Sequence, residues 1–520
     1  MAVAAQFAGR LITKKWTYPS RPGRPRLRRL YIFFALLGTR TANRPQAQNA
    51  AAVAEPVERR HGMSGSNVTA VSVPATVHRV ATASKRAGDR SYLALLLALS
   101  ALVMGTLAVL HDHYVLLAGD EPNYLIISQA LQLYHSIDVQ RVYDAANYHA
   151  FYPWPLPPHI AHGPDGQSFP WHGIGGPALW LLPFILAGRA GVTAFMIVVS
   201  LLIVANVFLL ARALGVGPRT AFAVGLTFAI GTPILTYSCL VFVEPIGALG
   251  CVYALRLLHT PTLRTRDLLL VSTCLGVLPW VHARFLLFPP LFLAFLLLRL
   301  RRDNATWLRV LAALTPALLL IAGFEVFNLV VWHTLSPAPN QVSIGAVPFQ
   351  KNPLPGLIGT VMDPGIGVIP NFPIFLLVLP GILLTAGRRW WPLHIQMAAL
   401  VLPYTLIVCT FTFWDGGWAP PARFAAVILP MLSAYVALAL QRAPLLIVRG
   451  FAVAAAVYTA ALTTLAIFTP HGGFTTGASQ HPGLPPMFTA WTAATIGAAA
   501  AGWLLSRRQQ HREDPTTATA

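Results

Sequence analysis

Apolar residues in this chain come in long unbroken runs rather than in strict alternation. Twelve of these runs are candidates to cross a bilayer as helices: 91–111, 190–211, 219–238, 240–258, 267–283, 285–299, 307–333, 365–386, 393–413, 422–441, 449–468 and 487–505. Lipid offers no partners for open backbone groups, so continuous runs predict helices, and the missing period-two pattern argues against a β-barrel. The expected fold class is therefore an all-α polytopic integral membrane protein. One further apolar piece, "GGPALWLLPFILAG" (175–188), is short and contains Pro177 and Pro183. The hairpin 267–299 has short arms around the turn "WVHARF".

Loop charge decides how to count these runs. With twelve spans and the N-terminus inside, the inner loops hold Arg212, Arg219, Arg256, Arg264, Arg266, Arg299, Arg301, Arg302, Arg388, Arg389, Arg442, Arg507 and Arg508. The outer loops then hold few bases, as the positive-inside rule requires. Counting 175–188 as a span would reverse this, so it reads as a half-buried helix on the outer face. Nine of the 17 acids fall on the outer side: Asp112, Asp120, Glu121, Asp138, Asp144 and Asp165 in the first outer loop, and Glu244, Asp363 and Asp415 near outer span ends. That loop, 112–189 with its juxtamembrane helices, is the largest of the membrane domain, and long ordered loops usually carry function.

Composition agrees with the pattern. The 520 residues are 55% hydrophobic and only 10% charged, with mean hydropathy +0.60. A soluble domain carries about 25% charged residues. The net charge of +20 is concentrated at one end, since residues 1–90 contribute +13 and the rest +7. This is a topology signal, and nucleic-acid binding is excluded as its reading. Residues 1–88 are expected to be a disordered basic cytoplasmic extension, in which Met63 is an alternative beginning. Residues 89–506 form the membrane domain, and 507–520 a cytoplasmic tail. The four cysteines form no C-x-x-C pair and predict neither a disulfide framework nor a zinc site.

The candidate chemistry sits at the outer ends of the spans. In "LLAGDEPNYLIISQAL" (116–131), Asp120 and Glu121 precede Pro122, which suits the first turn of a helix. The bland reading is a helix cap. Capping needs one acid, however, and this turn holds two. "DGQSFPWHGIGGP" (165–177), "VFVEPIGAL" (241–249), "VHARF" (281–285), "VMDPGIGVIPNFP" (361–373) and "WDGGWAPPARF" (414–424) each combine a titratable group with Trp, Pro or Gly. Arg284 and Arg423 begin spans on the side that is depleted of bases. An Arg at mid-membrane costs about 2.5–3.5 kcal/mol on insertion scales, so such residues pair with an acid or bind phosphate; the alternative is an interfacial Arg that snorkels. The chain has no G-x-x-x-x-G-K-[ST] loop and no G-x-G-x-x-G turn, so no soluble nucleotide domain is expected.

The ordered series of these motifs, across roughly 91–440, resembles the GT-C superfamily of membrane glycosyltransferases, especially bacterial relatives of dolichyl-phosphate-mannose–protein mannosyltransferases and of the lipid A aminoarabinose transferase. "GDEPNYL" stands where that family has an acidic residue or pair in its first outer loop, "DGQSFPWHGIGGP" resembles its His-containing stretch before the next span, and "VMDPGIGVIPNFPIFLLVLPG" and "WDGGWAPPARFAAVILP" resemble two later segments. Asn371 stands where Tyr is common, and Phe169-Pro170 alters the residues before His172. The resemblance implies a GT-C-like bundle of about twelve helices and transfer of a mannose-like or related sugar from a polyprenyl-phosphate donor on the outer face of the cell membrane. The acceptor is left open as a protein, a lipid or a glycan. On this reading Asp120 is the general base, with Glu121 second, and Arg423, Arg284 and His282 bind the donor phosphate. His172, Glu244, Asp363, Asp415 and Trp418 line the donor sugar or acceptor. Asp120 is also a candidate ligand for a divalent metal (Mg or Mn). A carboxylate near a low-dielectric interface has its pKa raised, which suits a base. The rival class is a secondary transporter or flippase of lipid-linked sugars, and a third is an envelope scaffold. A transporter would show internal repeats with polar groups at mid-depth, and the acids here gather at span ends.

Overall fold

The structure, a computed structural model, describes residues 75–114, 117–343, 352–417, 419–443, 446–467, 493–498 and 500–505. Most of residues 1–88, all of 507–520 and Trp418 lie outside them. The described chain is helical apart from one antiparallel hairpin, β1 (Ile160–His162) with β2 (Ser168–Pro170). Its principal helices are α1 (Ala75–Tyr114), α2 (Glu121–Tyr134), α3 (Leu181–Ala213), α4 (Pro218–Ile230), α5 (Glu244–His259), α6 (Thr265–Val281), α7 (Phe288–Arg302), α8 (Trp307–Trp332), α9 (Trp391–Thr410), α10 (Leu429–Arg442) and α11 (Leu446–Ile467).

Six described helices are long and apolar enough to cross a membrane: Gly88–His113, Leu181–Ala213, Ala283–Arg302, Trp307–Trp332, Arg388–Thr410 and Leu446–Leu465. Their outward faces keep large apolar side chains exposed, among them Leu102, Leu319, Val330, Leu402 and Leu465. On a soluble protein so much exposed apolar surface would aggregate; against lipid it is the ordinary state.

The other expected runs are helical but shorter, and the reason is local. Run 219–238 stops at Gly231 and restarts as Pro233–Tyr237, where the Thr232 hydroxyl accepts from the Ile234 N–H. Run 365–386 is broken by its prolines into Val368–Asn371, a 3-10 turn at Pro373–Leu377 and Val378–Leu383. Runs 240–258 and 422–441 become regular only from Glu244 and Leu429. Segment 175–188 forms a short helix, Gly175–Leu179, and then the first turns of α3. Non-helical backbone at Ala187 and Gly188 (φ +57) separates those turns from the rest of α3.

At the opposite helix ends, arginines do the closing. Arg299 donates to the carbonyls of Leu257 and Leu258, both at 2.8 Å, at the end of α5. Arg309 reaches the Leu263 carbonyl and Arg442 the Leu384 carbonyl, each at 2.6 Å. Arg212 makes a two-pronged pair with Asp89 at 3.0 and 3.1 Å, tying α3 to α1.

Helices α6 and α8 run against each other at close range. A Cβ on Gly276 would lie 2.8 Å from the Ala317 Cα. Small residues let membrane helices approach this closely, where packing and not water drives association. Gly276→Val is expected to cost about 1–3 kcal/mol by overpacking. The measurement is thermal unfolding in detergent, with Gly105→Val as the control, because nothing lies within 4 Å of a Cβ there.

Candidate active site

The site is assembled at irregular helix starts. Gly119 (φ +57) turns the chain after α1, and the Asp120 carbonyl then accepts from the Tyr124 N–H at 3.0 Å, opening α2. The Asp120 side chain makes no capping bond. Its Oδ2 instead accepts from Nη2 of Arg423, 303 residues further along the chain. Arg423 Nε donates to Glu244 Oε1 at 3.0 Å, and Arg284 Nη2 donates to the same oxygen at 2.6 Å. Two acids and two arginines therefore alternate in one buried chain of no net charge. Glu244 is 0% exposed, Arg423 10%, Arg284 11% and Asp120 21%. The Phe242 and Phe424 rings face Arg423 at 4.7 and 5.3 Å, and Phe424 also faces Arg284 at 4.4 Å. Such contacts stabilise cations that have lost water.

The loop carrying Arg423 is held from four directions. Tyr237 donates to the Pro420 carbonyl at 3.1 Å, and Tyr404 to the Phe424 carbonyl at 3.0 Å. The Ala422 N–H donates to the Ile366 carbonyl at 2.8 Å. Arg423 Nη1 donates to the Gly416 carbonyl at 3.0 Å, and Gly416 sits at φ +84, where a Cβ would lie 3.1 Å from the Arg423 Cβ. Ala422 is left-handed at φ +58. For a non-glycine residue this costs on the order of 1 kcal/mol and persists only where surroundings impose it.

On its other side Asp120 faces two histidines. His172 Nε2 lies 3.9 Å from Asp120 Oδ1, and His159 Nδ1 lies 3.4 Å from His172 Nε2. The hairpin brings them together: β1 and β2 pair Ile160 with Pro170, the Trp171 N–H donates to the His159 carbonyl, and the His159 ring stacks on Trp171 at 4.4 Å. Burial holds His172 down to about 4, against the pull of Asp120, so it is neutral at pH 7. Burial also lowers His159. The expected upward shift at Asp120 is reversed. Burial alone would raise its carboxyl, but Arg423 and then His172 hold it below the ordinary carboxylate range.

The remaining expected residues divide. His282 accepts the Arg284 N–H on Nδ1 at 3.3 Å, which orders the turn that presents Arg284. Glu121 points away from its neighbour, with its Oε1 accepting from the Val241 N–H at 2.8 Å and its Oε2 from the Ala118 N–H at 3.2 Å. It is 2% exposed, and burial raises its pKa. It therefore clamps the loop before α5 to the start of α2. Asp363 accepts from the Gly365 and Ile366 N–H groups at 2.7 and 3.1 Å, and Asp415 from the Gly417 N–H at 3.1 Å. Both shape the turns that support Arg423. Sequence reading missed His159. The available signal was "GPDGQ" between two short apolar stretches, an Asp-Gly hairpin cue.

Asp120, His159 and His172 offer ligand atoms that all lie within 4.8 Å of one another. Two imidazoles and a carboxylate suit zinc or manganese better than magnesium, which prefers oxygen ligands. Arg423 already occupies one oxygen of Asp120 and competes with an ion for it.

No family model matches the sequence, and no curated protein matches it. Among solved structures, the oligosaccharyltransferase AglB from Archaeoglobus fulgidus, in complex with an inhibitory peptide and a dolichol-phosphate, is similar at 16% identity and a TM-score of 0.45, covering 75% of this chain and 56% of that one. ArnT from Cupriavidus metallidurans bound to undecaprenyl phosphate is similar at 15% identity and a TM-score of 0.43, covering 81% and 78%. The chain spans just over half the length of the archaeal protein.

Removing one member of a buried charge chain strands its partners. Glu244→Gln leaves Arg284 without a counter-charge and Arg423 with Asp120 alone, so a loss of about 3–5 kcal/mol is expected. Asp120→Asn should cost less, because Asp120 keeps partial contact with solvent. Thermal stability of both variants by fluorescence-detected size exclusion checks the order.

Proposed function

We propose that the chain is a glycosyltransferase that moves a sugar from a polyprenyl-phosphate donor to a hydroxyl acceptor. The observation that carries this reading is the Asp120–Arg423–Glu244–Arg284 chain, which sets a carboxylate directly against a paired guanidinium cluster. Arg284 Nε–H and Glu244 Oε2 find no partner within it. Guanidinium pairs recognise phosphate oxygens and stabilise a phosphate leaving group. A donor with its isoprenoid tail in lipid would present its phosphate near helix ends such as these.

In the proposed step the acceptor oxygen attacks the anomeric carbon, the bond from that carbon to the phosphate oxygen breaks, and the polyprenyl phosphate leaves with the electron pair. The acceptor proton passes to Asp120. In the resting arrangement Arg423 makes Asp120 a weak base. A donor phosphate that draws Arg423 toward itself would loosen that pair and raise the basicity of Asp120 when substrate is present. Attack from the face opposite the phosphate inverts the anomeric configuration. We read the site as facing outward and both termini as cytoplasmic, supported by the arginines of the opposite loops. The sugar is mannose-like or related on the strength of the motif resemblance, and the acceptor is a protein, lipid or glycan hydroxyl.

A divalent ion bound by Asp120, His159 and His172 would polarise the acceptor hydroxyl. The proposed step needs none, because Arg423 already holds the Asp120 oxygen that an ion would take. Transfer is therefore expected to survive EDTA within about threefold, measured against a Mn²⁺-supplemented control. Loss on chelation with rescue by Mn²⁺ would make Asp120 a ligand instead.

The decisive assay supplies radiolabelled polyprenyl-phosphate sugars to membranes containing the protein. Wild type is expected to form a new glycoside, and Asp120→Asn, at equal protein level, to lose about 10²–10⁴-fold in rate. Full activity in Asp120→Asn would remove the base assignment. Vectorial uptake of labelled lipid without a new glycoside would make the protein a transporter.

A further inference from the structure

A cavity of about 60 Å³ opens beside the charge chain, and its walls come from four separate segments. Of its walls, His172 comes within 3.9 Å of Asp120, and His282 accepts the Arg284 N–H at 3.3 Å. Behind them stand Trp171, Trp280, Phe327 and Trp332. Their rings are ordered. Trp280 lies 5.6 Å from Phe324 and 5.5 Å from Phe327. Its indole N–H is used on the Leu320 carbonyl at 2.9 Å, so the ring can offer an incoming ligand only apolar contact. Trp332 packs against Phe169 at 5.1 Å. The backbone of Gly173 and Gly175 lies on that of Trp280 and Val281, where a Cβ on either would approach a carbonyl group to 2.5 Å.

Size and chemistry narrow the ligand. At roughly 10–15 Å³ per water, the space holds about four to six waters, which is the scale of one sugar ring. Among the described residues, no acid, Lys or Arg lines it. Its polar groups are the two histidines and three amides, and Asn340 and Gln341 already donate to the Trp171 carbonyl at 2.6 and 2.9 Å. Asn328 donates to the Ser336 carbonyl at 3.3 Å, which leaves its Oδ1 as an acceptor at the cavity. Aromatic faces suit the C–H face of a sugar, and the amide and imidazoles suit its hydroxyls. An ammonium or carboxylate on the ring would meet no counter-charge among the described lining residues and would bear much of its burial cost.

We propose that this cavity holds the donor's sugar ring and selects an uncharged sugar over amino sugars and uronic acids. The proposal rests on the glycosyltransferase reading for the word donor, and on the cavity alone for the selectivity.

The test uses full-length protein in nanodiscs and tryptophan fluorescence. The probes are methyl α-mannoside and methyl α-glucoside, with a methyl aminoglycoside and a methyl glucuronide for comparison. Saturable quenching by a neutral glycoside, at least tenfold weaker for both charged ones, is expected. Trp280→Ala and Trp332→Ala should each weaken neutral binding at least fivefold, while exposed Trp307→Phe should leave it unchanged; two variants on different helix turns guard against a folding failure in one. Preference for a charged glycoside, or unchanged binding in both cavity variants of normal stability, would overturn the proposal. Neutral binding without transfer from any lipid-linked donor would sink the enzyme reading and leave the cavity's selectivity standing. Transfer with unchanged KM and sugar preference in Trp280→Ala and Trp332→Ala would do the reverse.

Discussion

The structure turns on the requirement that charges removed from water find each other. Glu244 is wholly buried at the first residue of α5, where the helix N-terminus already favours an anion. One of its oxygens takes two guanidinium groups, and one of those guanidiniums reaches on to Asp120. No pair inside this chain would be stable alone in such surroundings, since desolvation of a lone ion costs several kcal/mol. Much of the surrounding irregularity follows from this need. Regular helix begins late before α7 and α10, so that Arg284 and Arg423 leave from irregular turns, while Glu244 opens α5 itself. Irregular backbone is tolerated at such depth only where protein surrounds it.

A division of labour between neighbouring residues follows. Asp120 and Glu121 are adjacent, yet at the opening of a helix adjacent side chains leave in different directions. One enters the charge chain and the other fastens the loop before α5. The same division recurs at Asp363 and Asp415, whose carboxylates shape the turns on which the Arg423 loop rests.

Much of this was legible in the sequence, for physical reasons. Continuous apolar runs can only be helices in lipid, so the helical class and the position of nearly every helix followed from hydropathy. Arg284 and Arg423 stood out because their positions are costly without partners, and the structure supplies those partners in Glu244 and Asp120. Helix lengths were harder to read. Pro370 and Pro373 split one run, and Gly231 with Thr232 another, although hydropathy stays high across both breaks. Pairwise choices were not legible at all. Nothing local distinguishes Asp120 from Glu121 as the partner of Arg423, because that contact spans 303 residues. The cavity was invisible for the same reason: Trp280 and Trp332 read as ordinary interfacial aromatics until the hairpin and the end of α8 are brought together.

The span between Asp120 and Arg423 also bears on how the protein is made. A ribosome adding about 5–20 residues per second completes Arg423 about 15–60 s after Asp120. Throughout that interval Asp120 is without its counter-ion, and Glu244 is without one until Arg284 follows 40 residues later. The nascent chain must therefore keep these segments in contact with water or with the insertion machinery until the later arginines emerge. A truncated chain would leave unpaired acids in the bilayer, which is a mark by which membrane quality control could tell an unfinished molecule from a finished one.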